Sequence, residues 1–171
     1  MRRLAIVVGL ALAGPMARAQ APADAPVLEV LTYDSFLSDW GPGPAIEAAF
    51  EETCACDLRF TGGGDGAALL ARVRLEGAAS TADVVLGLDT GLTAAATATG
   101  LFAPRAGGGA SDLPVPYDDP VWAPYDWGWY AFVYDRTRVA APPASFEALA
   151  ASDLRIVIQD PRSSTPGLGL V

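Results

Sequence analysis

The sequence predicts an α/β fold built around a parallel sheet. Three apolar runs read as strands: one through Val27, Leu28, Val30 and Leu31, a second over residues 57–61 and a third over residues 83–88. Each is followed by a stretch with helical punctuation or period. The third run is almost continuously apolar, as a parallel strand buried on both faces shows. In such a sheet ligands sit outside the carboxyl ends of the strands, so the residues that follow each run are the first candidates for a site.

The segment before the first strand has a different character. Arg2 and Arg3 form a positive start, residues 4–13 an apolar run, and Ala17-Arg18-Ala19 a small-residue cleavage site, which together describe a secretory signal peptide over residues 1–19. Its apolar run is far shorter than the ~20 residues a spanning helix needs, so export is expected rather than anchoring. Arg2, Arg3 and Arg18 are three of the 11 basic residues, and without them 8 Arg face 20 Asp and Glu, moving the net charge from −9 to −12. So acidic a chain is no partner for nucleic acid and admits a cationic ligand. The absence of His excludes Ser-His and Cys-His catalysis and the usual zinc sites, and no metal is expected.

The first strand runs directly into Tyr33, Asp34, Ser35 and Trp40, which places an aromatic and carboxylate cluster at the ligand edge. Taken alone, the same residues could equally cap the core and start a turn. Pro42 and Pro44 suit the first turn of a helix over residues 43–53, and Ile46, Ala49, Phe50 and Thr53 form its expected sheet-facing stripe. Cys54 and Cys56 follow, at the amino edge of the sheet. Export favours a disulfide, while the smallness of the ring leaves free or labile thiols as the alternative.

The second strand leads into Gly62-Gly63-Gly64-Asp65-Gly66 and a helix with Leu69, Leu70, Val73 and Gly77 at core spacing. Asp65 is placed as the N-cap, and the glycines let backbone N–H groups approach an anion. Gly62-x-Gly64-x-x-Ala67 also imitates a dinucleotide fingerprint, with Asp89 as the ribose acid, so a dinucleotide-binding oxidoreductase is a minor alternative.

After the third strand come a short Ala-rich helix ending near Gly100 and a Pro/Gly-rich surface loop over residues 103–120. Residues 125–135 (Tyr-Asp-Trp-Gly-Trp-Tyr-Ala-Phe-Val-Tyr-Asp) read as a long strand, packed in the core or crossing between two lobes. A helix begins at Ser145, residues 155–158 read as a buried strand, and Thr165-Pro166 carries an N-cap and N1 signature, a second helix start able to hold an anion. The sequence ends at Val171 within the first turns of that helix, and a truncated product is expected.

Tyr33-Asp34-Ser35-Phe36 with Trp40-Gly41-Pro42-Gly43-Pro44, the Cys54-x-Cys56 pair, Asp65-Gly66, the run from Ala82 to Asp89, Phe132-Val133-Tyr134-Asp135 and the run from Gln159 to Leu170 together resemble the periplasmic thiamine-binding proteins of bacterial ABC transporters. The likeness covers nearly all of the chain after the signal, in order. It implies a type II periplasmic binding protein: a first α/β lobe over residues 20–124, a crossing hinge strand over 125–140 and the start of a second α/β lobe over 141–171. It implies capture of thiamine and its phosphates as ligand rather than cofactor, and delivery to a membrane permease by a monomer in the periplasm. The contacts it implies are Tyr33, Trp40, Asp65, Gly66, Ser164 and Thr165, with the family's remaining contacts beyond Val171. Gly62-Gly63-Gly64 departs from the bulkier residues usual before the Asp-Gly pair. An enzyme that cleaves thiamine resembles the same fold and uses a cysteine nucleophile. Here no nearby base could activate Cys54 or Cys56, so no catalytic residue and no enzyme are expected.

Overall fold

The structure, a computed structural model, describes residues 24–106 and 113–171. The signal peptide expected over residues 1–19 lies outside them, as do residues 107–112 of the expected surface loop.

Three parallel strands form one sheet in the order β2-β1-β3, with β1 (Val27–Thr32) at its centre, β2 (Asp57–Gly62) on one side and β3 (Val84–Val85) on the other. The parallel α/β architecture expected from the sequence is borne out. Helix α1 (Gly43–Cys54) connects β1 to β2, helix α2 (Gly66–Glu76) connects β2 to β3, and α3 (Thr90–Thr97) follows β3. Two short helices, α4 (Phe146–Ala150) and α5 (Thr165–Leu168), lie further along the chain.

Helix α2 holds the centre of the molecule because its apolar residues face two ways. Leu69 and Val73 pack with Leu31 of β1, while Leu70 packs with Leu92 and Ala96 of α3, and Leu88 and Phe102 touch both groups. Phe36, in a 3₁₀ turn over Asp34–Leu37, is buried edge-to-face against Tyr33 and Phe60. Gly77 is not part of this core: it ends α2 with φ +55°.

Four further expectations are corrected. The stripe Ile46, Ala49, Phe50 and Thr53 on α1 is exposed, and Gly43, Glu47, Glu51 and Cys54 are the residues at least half covered. The physical reason lies at the sheet edge, where the Glu51 carboxylate accepts the Leu58 backbone N–H of β2 at 3.0 Å. A helix that supplies a carboxylate to an edge strand turns its polar face inward. The run 83–88 contributes only two residues to the ladder, and Val84 is 43% exposed because β3 has a neighbour on one side alone. Residues 125–135 and 155–158 pair with no strand among the described residues, and Trp129 is 80% and Val133 96% exposed. A strand needs a neighbouring backbone to take its N–H and C=O groups, and these segments have none among the described residues. The last correction is one residue in size: Ser164, not Thr165, is the N-cap of α5.

Cys54 and Cys56 form a disulfide at the end of α1, with Ala55 between them at φ +51°. The Cys54 sulfur also accepts the Cys56 N–H at 3.1 Å. Closing so short a loop removes little chain entropy, about 1–2 kcal/mol at most. Replacing both cysteines by Ser is expected to shift the thermal midpoint by a few degrees, read by circular dichroism, and to leave the cleft on the opposite edge unchanged.

Candidate functional site

A cleft of about 620 Å³ opens at the carboxyl edge of the sheet. Each strand delivers residues to it: Tyr33, Asp34 and Ser35 after β1, Gly64 and Asp65 after β2, and Gly87, Leu88 and Asp89 after β3. Its other wall comes from far along the chain, with Tyr125, Asp126, Tyr130, Gln159, Thr165 and Pro166.

Asp65 joins the two walls. As N-cap of α2 its side chain accepts the Gly66 N–H at 2.9 Å, and it also accepts the Thr165 backbone N–H at 2.7 Å and the Thr165 hydroxyl at 2.8 Å. The two helix starts that the sequence marks as anion sites therefore meet around one anion that the protein itself supplies. Gly66 is small for the same reason, since a Cβ there would come within 2.7 Å of Thr165 Oγ1. Ser164 turns away from the cleft, donating to Gln159 Oε1 at 2.5 Å and accepting the Gly167 N–H as cap.

Three tyrosine hydroxyls make two further bridges. Tyr33 and Tyr125 meet hydroxyl to hydroxyl at 2.8 Å, and Tyr130 donates to Asp89 Oδ2 at 3.1 Å. Loss of solvent, and then the bond to Tyr33, hold the Tyr125 pKa well above the ordinary phenol range. Loss of solvent, followed by the charge of Asp89, pushes Tyr130 up to about 12. The Tyr125 and Tyr130 hydroxyls thus stay protonated across the neutral range, and Tyr130 keeps its bond to Asp89.

Of the expected contacts, Tyr33, Asp65 and Thr165 line the cleft, and Gly66 lies directly behind them. Trp40 and Ser164 do not line it, and Trp40 is 80% exposed. Sequence reasoning missed Tyr125, Asp126, Tyr130 and Gln159 as site residues. The available signal is the aromatic density of residues 125–130, which core packing or a crossing strand explains equally well.

The alternatives fare differently. The turn that imitates a dinucleotide fingerprint has committed its donors, since Gly64 N–H goes to Asp34 Oδ1 and Gly66 N–H to Asp65. Asp89, the expected ribose acid, caps α3 through the Leu92 N–H and holds Tyr130. Cys54 and Cys56 are bonded to each other and do not line the cleft, so they present no nucleophile to it.

No family model matches the chain. It is 51% identical over 150 residues to the thiamine-binding periplasmic protein of Escherichia coli (strain K12), covering 85% of this chain and 46% of that protein. Against the thiamine-binding periplasmic protein of Brucella suis identity is 46% over 169 residues, covering 96% of this chain and 48% of the relative. A solved structure described as a periplasmic thiamin binding protein superposes with a TM-score of 0.79 at 49% identity, covering 87% of this chain and 48% of that one. That likeness bears out the type II periplasmic binding fold implied by the sequence motifs. These relatives are named as binding proteins, not enzymes, and the chain spans about half their length. In sequence and in fold, the chain is a relative of the periplasmic thiamine-binding proteins and shares with them the part that makes up about half of each.

Proposed function

We propose that this chain captures thiamine in the periplasm for delivery to an ABC-type membrane permease, with residues 1–19 as its export signal. One observation carries the reading beyond the names of its relatives: four carboxylates and three tyrosines line the cleft and no Arg does. Thiamine carries a permanent thiazolium charge beside a flat pyrimidine. Carboxylates and aromatic faces attract such a cation, each cation–π contact being worth roughly 0.5–2 kcal/mol according to its exposure. Residues 20–124 then form a first lobe, 125–140 the crossing segment and 141–171 the opening of a second lobe, with the cleft between them. The protein acts as a monomer.

Thiamine phosphates belong to the same reading. The Thr165 and Gly66 N–H groups are the donors suited to a phosphate, and the Asp65 carboxylate accepts both. A phosphate ester therefore enters by displacing that carboxylate. Titration calorimetry of the chain with thiamine should give saturable binding at one site, and heats no larger than dilution would overturn the reading. Thr165→Val tests the phosphate part, because the Thr165 hydroxyl lies at the same cleft wall, on Asp65. It should weaken thiamine monophosphate by roughly tenfold, the loss of one charge-assisted hydrogen bond, with thiamine affected less than twofold. Equal losses would mean that the hydroxyl only joins the two walls, and Ser164, which caps α5 and bonds Gln159, should affect neither ligand when replaced by Ala.

A further inference from the structure

Four carboxylates line the cleft, and three of them are already engaged. Asp34 accepts the Gly64 N–H, Asp65 accepts three donors, and Asp89 accepts the Leu92 N–H and the Tyr130 hydroxyl. Among the described residues Asp126 has no hydrogen bond and no ion pair, and no Arg lines the cleft to balance it. Its neighbour Tyr125 is pinned to Tyr33 across the cleft, so the backbone that carries Asp126 is anchored at the wall.

Asp65 and Asp89, with three and two protein donors, have few lone pairs left to offer, and at Asp34 one oxygen is committed to a backbone N–H; in each the charge is partly offset by the dipoles aimed at it. Asp126 is therefore the one cleft carboxylate whose charge no protein donor offsets. Resting on the functional reading above, we propose that Asp126 is the residue that selects for positive charge in the ligand: it favours a cationic heteroaromatic ring over a neutral ring of the same shape. The attraction is electrostatic and needs no fixed geometry. It survives at the partly solvated rim of the cleft, where a unit pair at close range retains a modest interaction.

The test compares thiamine with its neutral isostere 3-deazathiamine, in which a thiophene replaces the thiazolium, on the wild-type chain, Asp126→Asn and Asp126→Glu. Asp126→Asn should weaken thiamine about fivefold and change the neutral isostere less than twofold, while Asp126→Glu should restore most of the thiamine affinity. Because Asp126 supports no other group, thermal midpoints should stay within about one degree of wild type. Equal losses for both ligands, or no loss for thiamine, would overturn the assignment while leaving the thiamine-binding reading intact. A wild-type chain that binds neither ligand would overturn both.

Discussion

Gly87→Ala is expected to lower the thermal midpoint by roughly 10 °C and to dislodge one wall of the cleft in the same step. Gly87 has φ +107°, a conformation that L side chains rarely adopt and that costs them about 1–3 kcal/mol. A Cβ there would also collide with Cδ1 and Cε1 of Tyr33. The ring has little freedom to yield, because it packs edge-to-face on Phe36 and its hydroxyl is held by Tyr125. Strain and displacement together should cost about 3 kcal/mol, and for a chain of this length each kcal/mol lowers the midpoint by about 2–4 °C. Calorimetric melting and near-ultraviolet circular dichroism of the tyrosines would both report the change. A shift under two degrees would mean that Tyr33 swings aside freely and does not define the wall.

Asp65→Ala should cost about 2 kcal/mol and detach the far end of the chain. The substitution removes the acceptor of three donors at once and strands the N–H and hydroxyl of Thr165, which lies one hundred residues away in sequence. An N-cap alone is worth about 1 kcal/mol, and the bonds to Thr165 add a comparable amount after allowance for solvent. With that anchor gone, α5 keeps only Leu168 in the core. Limited proteolysis should therefore cut around residues 159–171 several-fold faster than in wild type, while Asp65→Asn, which still accepts hydrogen bonds, should fall between. Unchanged cleavage would show that the Leu168 contact suffices to hold the segment.

What could be read from the sequence was what is local. β1, β2 and their helices were placed within a residue or two because their period, prolines and glycines act over a few positions, and Asp65 was recognised as a cap from its neighbours alone. The apolar stripe of α1 points to the wrong face, because nothing in it signals that an edge strand takes the Glu51 carboxylate. Residues 125–135 and 155–158 have strand composition, but a strand is completed by a partner, and composition does not reveal whether one is present. The same limit applied to the cleft. Tyr33, Asp65 and Thr165 were marked by their positions at element ends, whereas Tyr125 and Asp126 enter through a bond to Tyr33 that spans 92 positions and leaves no local trace.

The central position of β1 also governs the order in which the site can come into being. Val27 pairs with Asp57, and Val30 with Val84, so the strand that carries Tyr33 and Asp34 to the cleft acquires its first neighbour thirty positions later and its second after fifty-four. Both pairings require closing a loop through a helix, a slow, non-local step compared with forming the helices themselves. A chain emerging in sequence order thus brings Gly64 and Asp65 to the edge with the first pairing, and gains Gly87 and Asp89 only with the second, immediately behind β3. The strand-borne wall of the cleft is thus assembled in two steps and is whole only after β3, still ahead of Tyr125, Asp126 and Tyr130 on the facing wall.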